Sequence, residues 1–269
     1  MTAQDPAAIR IDTSRPHTAR VYDWLLGGKD NYPVDEEMGK QLLAMVDPHA
    51  KEFAWINRGF MHRATRYAAE ELGIRQFLDI GTGIPTEPNL HQIAQGVAPE
   101  ARVVYCDNDP IVLAHAAALL RSTPEGVTEY VQADARETET ILEKAGKVLD
   151  FTGPVAVSLC ALLHFIGDED AYPLVSRLME PLAPGSCLII SHGTGDFSPE
   201  GAEKGKELYR KGGHTLRTRS RAEIARFFEG MEMVEPGISI PTDWRPELGE
   251  VHPMPDGPVP GYVAMARKV

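Results

Sequence analysis

Between residues 76 and 191 five short apolar runs alternate with four segments of helical spacing. The apolar runs fall at 76–80, 102–106, 128–131, 155–160 and 186–191. Helical patterns lie between them at 89–97, 110–121, 137–145 and 171–180. The runs read as continuous rather than alternating, which is the pattern of strands covered on both faces. Strand–helix alternation of this kind predicts an α/β fold, with a mostly parallel sheet built from right-handed crossovers. Residues 231–234, with Ser239 and Ile240, read as a sixth strand interrupted by Pro236 and Gly237. Residues 262–267 read as the last strand.

The flanks differ from this repeat. Residues 1–14 are polar, and 18–24 form a short amphipathic stretch leading into Gly27, Gly28 and Pro33, which mark a bent loop. Helices are expected over 35–45 and 53–72, with Gly73 as the stop. This divides the chain into a helical extension, 1–72, and an α/β core, 73–269. Residues 193–219 are polar, glycine-rich and basic, and the basic stretch 204–219 reads more readily as a solvated face than as an anion site. Ser220 and Glu223 then form a capping box before a helix over 222–228. The segment 241–260 is rich in proline, and its Trp244 either walls a pocket or covers core.

Charge and cysteine content exclude several functions. There are 39 acidic against 27 basic residues, a net charge of −12, which repels a phosphate backbone and argues against a nucleic-acid partner. Cys106, Cys160 and Cys187 are odd in number and scattered in apolar runs, so neither a disulfide framework nor a metal centre is expected. The N-terminus has no apolar core of a signal peptide, and no apolar run has the length of a membrane span. A cytoplasmic protein without a membrane partner is expected.

Chemistry-bearing residues sit where the strands end. Asp79-Ile80-Gly81-Thr82-Gly83 closes the first strand. Glycines there let a backbone approach a ligand. The dinucleotide pattern G-x-G-x-x-G fails, because Pro85 and Thr86 follow. An acid two residues before the first glycine suits a ligand with an ammonium and a sulfonium group better than a pyrophosphate; the plain alternative is a tight strand–helix turn. The second strand ends in Asp107, Asn108 and Asp109, with Asp107 at the spacing of a ribose-binding carboxylate and Asp109 as helix cap. The third ends in Asp134 and Ala135, where the carboxylate can accept from an adenine amine and the backbone can donate to a ring nitrogen. Strand ends on one edge of an open α/β sheet are where ligands bind.

In this order, with 157–165 (VSLCALLHF) after them, these motifs resemble the class I S-adenosylmethionine-dependent methyltransferases over about 75–195. A match over nearly the whole chain is carried by Arg15-Pro16-His17, Ala19–Asp23, Leu26–Asn31, Arg75–Gly83 and Arg226–Gly230. These segments are similar to the actinobacterial DUF574, or SAM methyltransferase 19, family. The resemblance implies a Rossmann-like seven-stranded sheet, with the last strand antiparallel, under an N-terminal helical lid. It implies S-adenosyl-L-methionine as cofactor, held by Asp79, Gly81, Thr82, Gly83, Asp107, Asn108, Asp134, Ala135, Leu159 and Cys160. Pro85 departs from the class pattern, where a third glycine is usual.

The lid reading brings Tyr22 against the ligand and Lys29 or Asn31 to the methionine carboxylate; the alternative is a solvated turn. His164, after the fourth strand, is a general-base candidate because imidazole titrates near neutrality; the alternative is a half-buried histidine with an ordinary hydrogen bond. His192 is a weaker candidate of the same kind. Methyl transfer from an activated sulfonium needs orientation more than acid–base chemistry. The function expected is methyl transfer to a small-molecule acceptor, by a monomer or homodimer. The alternative is a non-catalytic cofactor-binding regulator or scaffold.

Overall fold

The computed structural model describes residues 11–112, 121–257 and 259–269. Its strands are β1 (Gln76–Ile80), β2 (Arg102–Asp107), β3 (Val127–Gln132), β4 (Ala156–Cys160), β5 (Cys187–Gly193), β6 (Met231–Met233) and β7 (Gly261–Lys268). They form one sheet in the order β3-β2-β1-β4-β5-β7-β6. The pairs from β3 through β5 are parallel, and β7 runs antiparallel to both neighbours. Strand order reverses between β1 and β4, which opens a crevice beyond their carboxyl ends.

The described helices are α1 (Thr18–Leu25), α2 (Pro33–Met45), α3 (Ala50–Glu70), α4 (Leu90–Val97), α5 (Thr138–Ala145), α6 (Asp168–Met179), α7 (Pro199–Lys211) and α8 (Arg221–Ala225). Most of the helix expected over 110–121 lies outside the described residues; 110–112 are helical.

Strand alternation feeds two cores, one on each face of the sheet. Leu78 and Ile80 of β1 join Val104, Val157 and Leu159 under α6 and Phe227. Phe77, one step out of phase, joins Val103, Ala156 and Ile189 under α3 and α4, with Phe60, Ala64, Leu90 and Trp244. Fully burying one such large side chain contributes about 1.5–3 kcal/mol. The expectation of strands covered on both faces fails at β3. It is an edge strand with an exposed or half-exposed residue at five of its six positions, and β2 is its one strand neighbour.

Residues 193–219 contain a helix that the spacing did not suggest. Ser198 caps α7, its hydroxyl accepting from Gly201 N at 3.2 Å, and Pro199 opens the first turn. The helix carries two glycines and buries only Gly205, Leu208 and Tyr209, so its apolar stripe is short. Leu208 and Tyr209 pack with Val21 of α1 and Met38 of α2. The roof over the crevice therefore joins the N-terminal helices to a segment nearly 200 residues away in sequence. No described helix is long and apolar enough to cross a membrane.

Candidate active site

The turn after β1 is fixed by backbone geometry. Gly81 and Gly83 have φ of 75° and 68°, the left-handed region that suits glycine. Gly81 N and Thr82 N donate to Cys106 O at 2.8 and 3.2 Å, stapling the turn to β2. A Cβ on Gly81 would lie 2.7 Å from Leu162 Cδ1. The turn thus needs glycine for both conformation and space.

Asp107 locks the same turn from the side. Its Oδ2 accepts from Gly83 N at 2.8 Å and its Oδ1 from Asp109 N at 3.0 Å. An ionised carboxylate has about four acceptor positions, so capacity remains for ribose hydroxyls. Asp109 caps the following turn by accepting from Ile111 N at 3.0 Å. Its second oxygen lies 3.0 Å from His17 Nδ1, which ties the start of α1 to the end of β2. Asp79 is buried, accepts from the Thr82 hydroxyl, and sits beside Ser158 and Arg58. Burial pushes its carboxyl above the ordinary value, and hydrogen bonds from Thr82 and Ser158 oppose that rise. Burial also raises Asp107, against the backbone N–H groups of Asp109 and Gly83. Asp134 is more open and accepts from Arg136 N at 2.9 Å and Arg136 Nη1 at 3.1 Å.

All three acids line one cavity of about 700 Å³. It also meets Tyr22, Gly81, Thr82, Gly83, Asn108, Ala135, Cys160 and His164. Lys29, Asn31 and Leu159 do not line it. Asn31 Nδ2 instead donates to Asp23 Oδ2 at 2.8 Å and to Gly28 O at 3.1 Å, and Asp30 N donates to Asp23 Oδ2 at 3.0 Å. The Gly27–Asn31 loop therefore folds onto the Asp23 carboxylate and leaves Lys29 exposed. Leu159 falls on the opposite face of β4 from the cavity-lining Cys160 and is fully buried in core. Trp244 is likewise core, edge-on to Phe60 at 5.3 Å between ring centroids.

Tyr22 lines the cavity with its hydroxyl already engaged. It donates to Ala54 O at 3.0 Å and accepts from Asn57 Nδ2 at 2.8 Å. Burial pushes its pKa up to about 12, so the phenol stays neutral. His164 Nδ1 accepts from Gly193 N at 3.3 Å. The proton then resides on Nε2, and the ring meets the cavity as a donor rather than a base. Burial first, and Arg219 second, push its pKa down to about 4, so it is neutral at pH 7. His192 is held by Arg219 Nη1 on Nε2 at 2.7 Å and by Gly193 O on Nδ1 at 2.8 Å. Both ring nitrogens of His192 are thus committed to protein.

Arg219 corrects the expectation of a solvated basic stretch. It is fully buried and donates to Leu163 O at 2.8 Å, Ile166 O at 3.0 Å and Asp168 Oδ1 at 3.0 Å. Partial burial pushes the Asp168 carboxyl up, but hydrogen bonds from Arg219 and Arg217 outweigh it and leave the group below its ordinary value. Lys204, Lys206, Arg210 and Lys211 do fit the solvated reading, pairing with Glu200, Glu203 and Glu207 along α7. Sequence reading also missed His17, Asn57 and Arg58. The last two sit on the apolar face of α3, and a long basic stem on such a face gives no sign of whether its head reaches water.

The profile of a family described as S-adenosyl methyltransferase matches residues 4–269. A DUF574 family protein from Streptomyces avermitilis is 48% identical, with a TM-score of 0.92 over 97% of this chain and 100% of that one. A candidate methyltransferase of Thermobifida fusca is 37% identical, with a TM-score of 0.88 over 99% of both chains. Magnesium protoporphyrin IX methyltransferase from Synechocystis, solved with bound S-adenosylhomocysteine, shares the fold at 12% identity, with a TM-score of 0.52 over 88% of this chain and 95% of that one. No curated protein matches the sequence. With a full-length family match, two close structures, and the glycine turn and strand-end acids around one cavity, the chain belongs to the S-adenosyl methyltransferase family.

Proposed function

We propose that this protein transfers the methyl group of S-adenosylmethionine to a small-molecule acceptor held under the α1–α2–α7 roof. The observation that carries the reading is the succession of Asp79, Asp107 and Asp134 at adjacent strand ends around a single cavity. The Gly81 turn fits such a ligand, since a Cβ there would close the approach against Leu162. Asp79 suits the methionine ammonium, Asp107 the ribose hydroxyls, and Asp134 with Ala135 the adenine edge. When bound, the cofactor supplies an activated methyl carbon that moves to the acceptor nucleophile as the sulfonium becomes a thioether.

The chain's own work is orientation and exclusion of water. Tyr22 of α1 and Cys160 of β4 both border the cavity. The Cys160 thiol is pushed up to about 12 by burial and stays protonated, so it is no rival nucleophile. Neutral His164 offers an Nε2–H to an oxygen or nitrogen of the acceptor. Lys and Arg lining the cavity are limited to Arg58 and Arg136 among the described residues, beside Asp79 and Asp134 respectively. The remaining lining includes Phe53, Phe165 and Tyr209 with the carboxylates Asp47 and Asp256, which suits a largely apolar acceptor without an anionic group.

The test is label transfer. Methyl-labelled S-adenosylmethionine and the protein are incubated with fractions of an actinobacterial extract. Label is expected in a small-molecule fraction, with S-adenosylhomocysteine released in equal amount. Label confined to protein or nucleic acid contradicts the acceptor class. Cofactor binding with no transfer to any fraction contradicts catalysis.

A further inference from the structure

Four arginines are more than nine-tenths buried among the described residues: Arg20, Arg58, Arg63 and Arg219, at 3%, 8%, 1% and 0% exposure. In three of the buried set every guanidinium nitrogen meets a protein oxygen. Arg20 reaches Asp12 O, Arg15 O and the Asp35 carboxylate. Arg63 clamps Trp244 O, Glu250 O and Pro241 O, pinning the 241–250 segment to α3. Arg219 is saturated as described above.

Arg58 is different. Its Nη2 donates to Pro88 O at 2.9 Å and to Thr86 O. Its Nε is buried with no partner, and no protein acceptor meets Nη1 among the described residues. A guanidinium has five N–H groups and no acceptor, and leaving buried donors unpaired costs about 1–3 kcal/mol each. Arg58 lines the main cavity together with Asp79. The same two residues border a small recess beside Thr82 and Gly83. The carbonyls of Thr86 and Pro88 hold the head at the mouth of the glycine turn. A positive and a negative group are thus fixed side by side, and each is only partly satisfied by protein.

That pairing is the complement of an α-amino acid zwitterion. We infer that Arg58 binds the methionine carboxylate of the cofactor, next to the ammonium at Asp79; this rests on the cofactor reading above. It takes over the role that the sequence suggested for Lys29 or Asn31: the Asp23 turn holds Asn31 elsewhere, and Lys29 is exposed and does not line the cavity. Charge-assisted hydrogen bonds of this kind are about twice as strong as neutral ones.

The test compares S-adenosylmethionine with decarboxylated S-adenosylmethionine, which keeps the adenosine, sulfonium and ammonium and lacks only the carboxylate. Calorimetry is run on the wild type and on Arg58→Met. The wild type is expected to prefer S-adenosylmethionine by about ten- to hundredfold. Arg58→Met is expected to bind both ligands within about threefold of each other, the non-additivity that marks a direct contact. Arg58→Lys, which keeps the charge and leaves fewer donors to displace, is expected to retain part of the preference and covers the case in which Arg58→Met does not fold. A wild type that does not discriminate, or variants that keep the full preference, overturn the assignment. A folded wild type that binds neither ligand overturns the cofactor reading itself, a distinguishable result.

Discussion

In or behind two walls of the same cavity, charged groups stand in opposite conditions. On the side of β5, Arg219, His192 and Asp168 form a closed set: the guanidinium is surrounded by acceptors, and both nitrogens of His192 are used. On the side of β1 and β2, Asp79 and Asp107 are desolvated enough to be pushed up, and Arg58 keeps unpartnered donors. Buried polar groups cost free energy unless paired. The first wall meets that cost internally and braces the 193–219 segment. The second leaves it open, which is what a site awaiting a polar ligand looks like. Removing charge from the first wall should therefore damage stability, and removing it from the second should damage binding.

The largest effect separating the walls is expected at Arg219. Arg219→Met strands Leu163 O, Ile166 O and His192 Nε2 in the interior. Breaking such a buried set costs about 3–5 kcal/mol, read as a lowered denaturant midpoint. A variant as stable as the wild type would show that the wall is not a brace.

At the turn, Gly81→Ala combines left-handed strain of about 1–2 kcal/mol with a Cβ that Leu162 must move to admit. Weaker S-adenosylmethionine binding with a modest loss of melting temperature is expected. An unchanged affinity would mean that the ligand does not approach the turn.

The smallest effect is a pH dependence. The His164 pKa is near 4 in the fold against about 6.5 unfolded, so the unfolded chain binds more protons between those values. Its contribution to stability is present above about pH 6.5 and is lost as pH falls through 4. Asp79 and Asp107, raised in the fold, act with the opposite sign above the ordinary carboxylate range. The comparison of wild type with His164→Gln isolates the histidine. The wild type should lose more stability than the variant between pH 7 and pH 4. Parallel profiles would mean that His164 is already free to charge and able to serve as a base.

The fold was legible because β1, β2, β4 and β5 are covered on both faces and betray it as apolar runs. The edge strand β3 and helix α7 were less legible for one reason: each buries little, so neither has a strong period. The three acids and the glycine turn were readable because strand ends place them without any knowledge of side-chain packing. Arg58 and Arg219 were not, since the direction of a long flexible side chain depends on carbonyls contributed by distant loops, such as Thr86 and Pro88 or Leu163 and Ile166. Asn31 misled for a related reason. Its loop looked like a lid, and only the fold shows that Asp23 lies beneath it.

A cofactor site at the second wall depends most directly on Asp107, whose carboxylate joins the glycine turn to the end of β2. Calorimetric titration of S-adenosylmethionine into the wild type and Asp107→Ala measures it directly. Single-site binding by the wild type is predicted, weakened about ten- to hundredfold in Asp107→Ala by loss of hydrogen bonds to a charged group. Equal affinities in the two proteins, or a folded wild type that binds no S-adenosylmethionine, would contradict it.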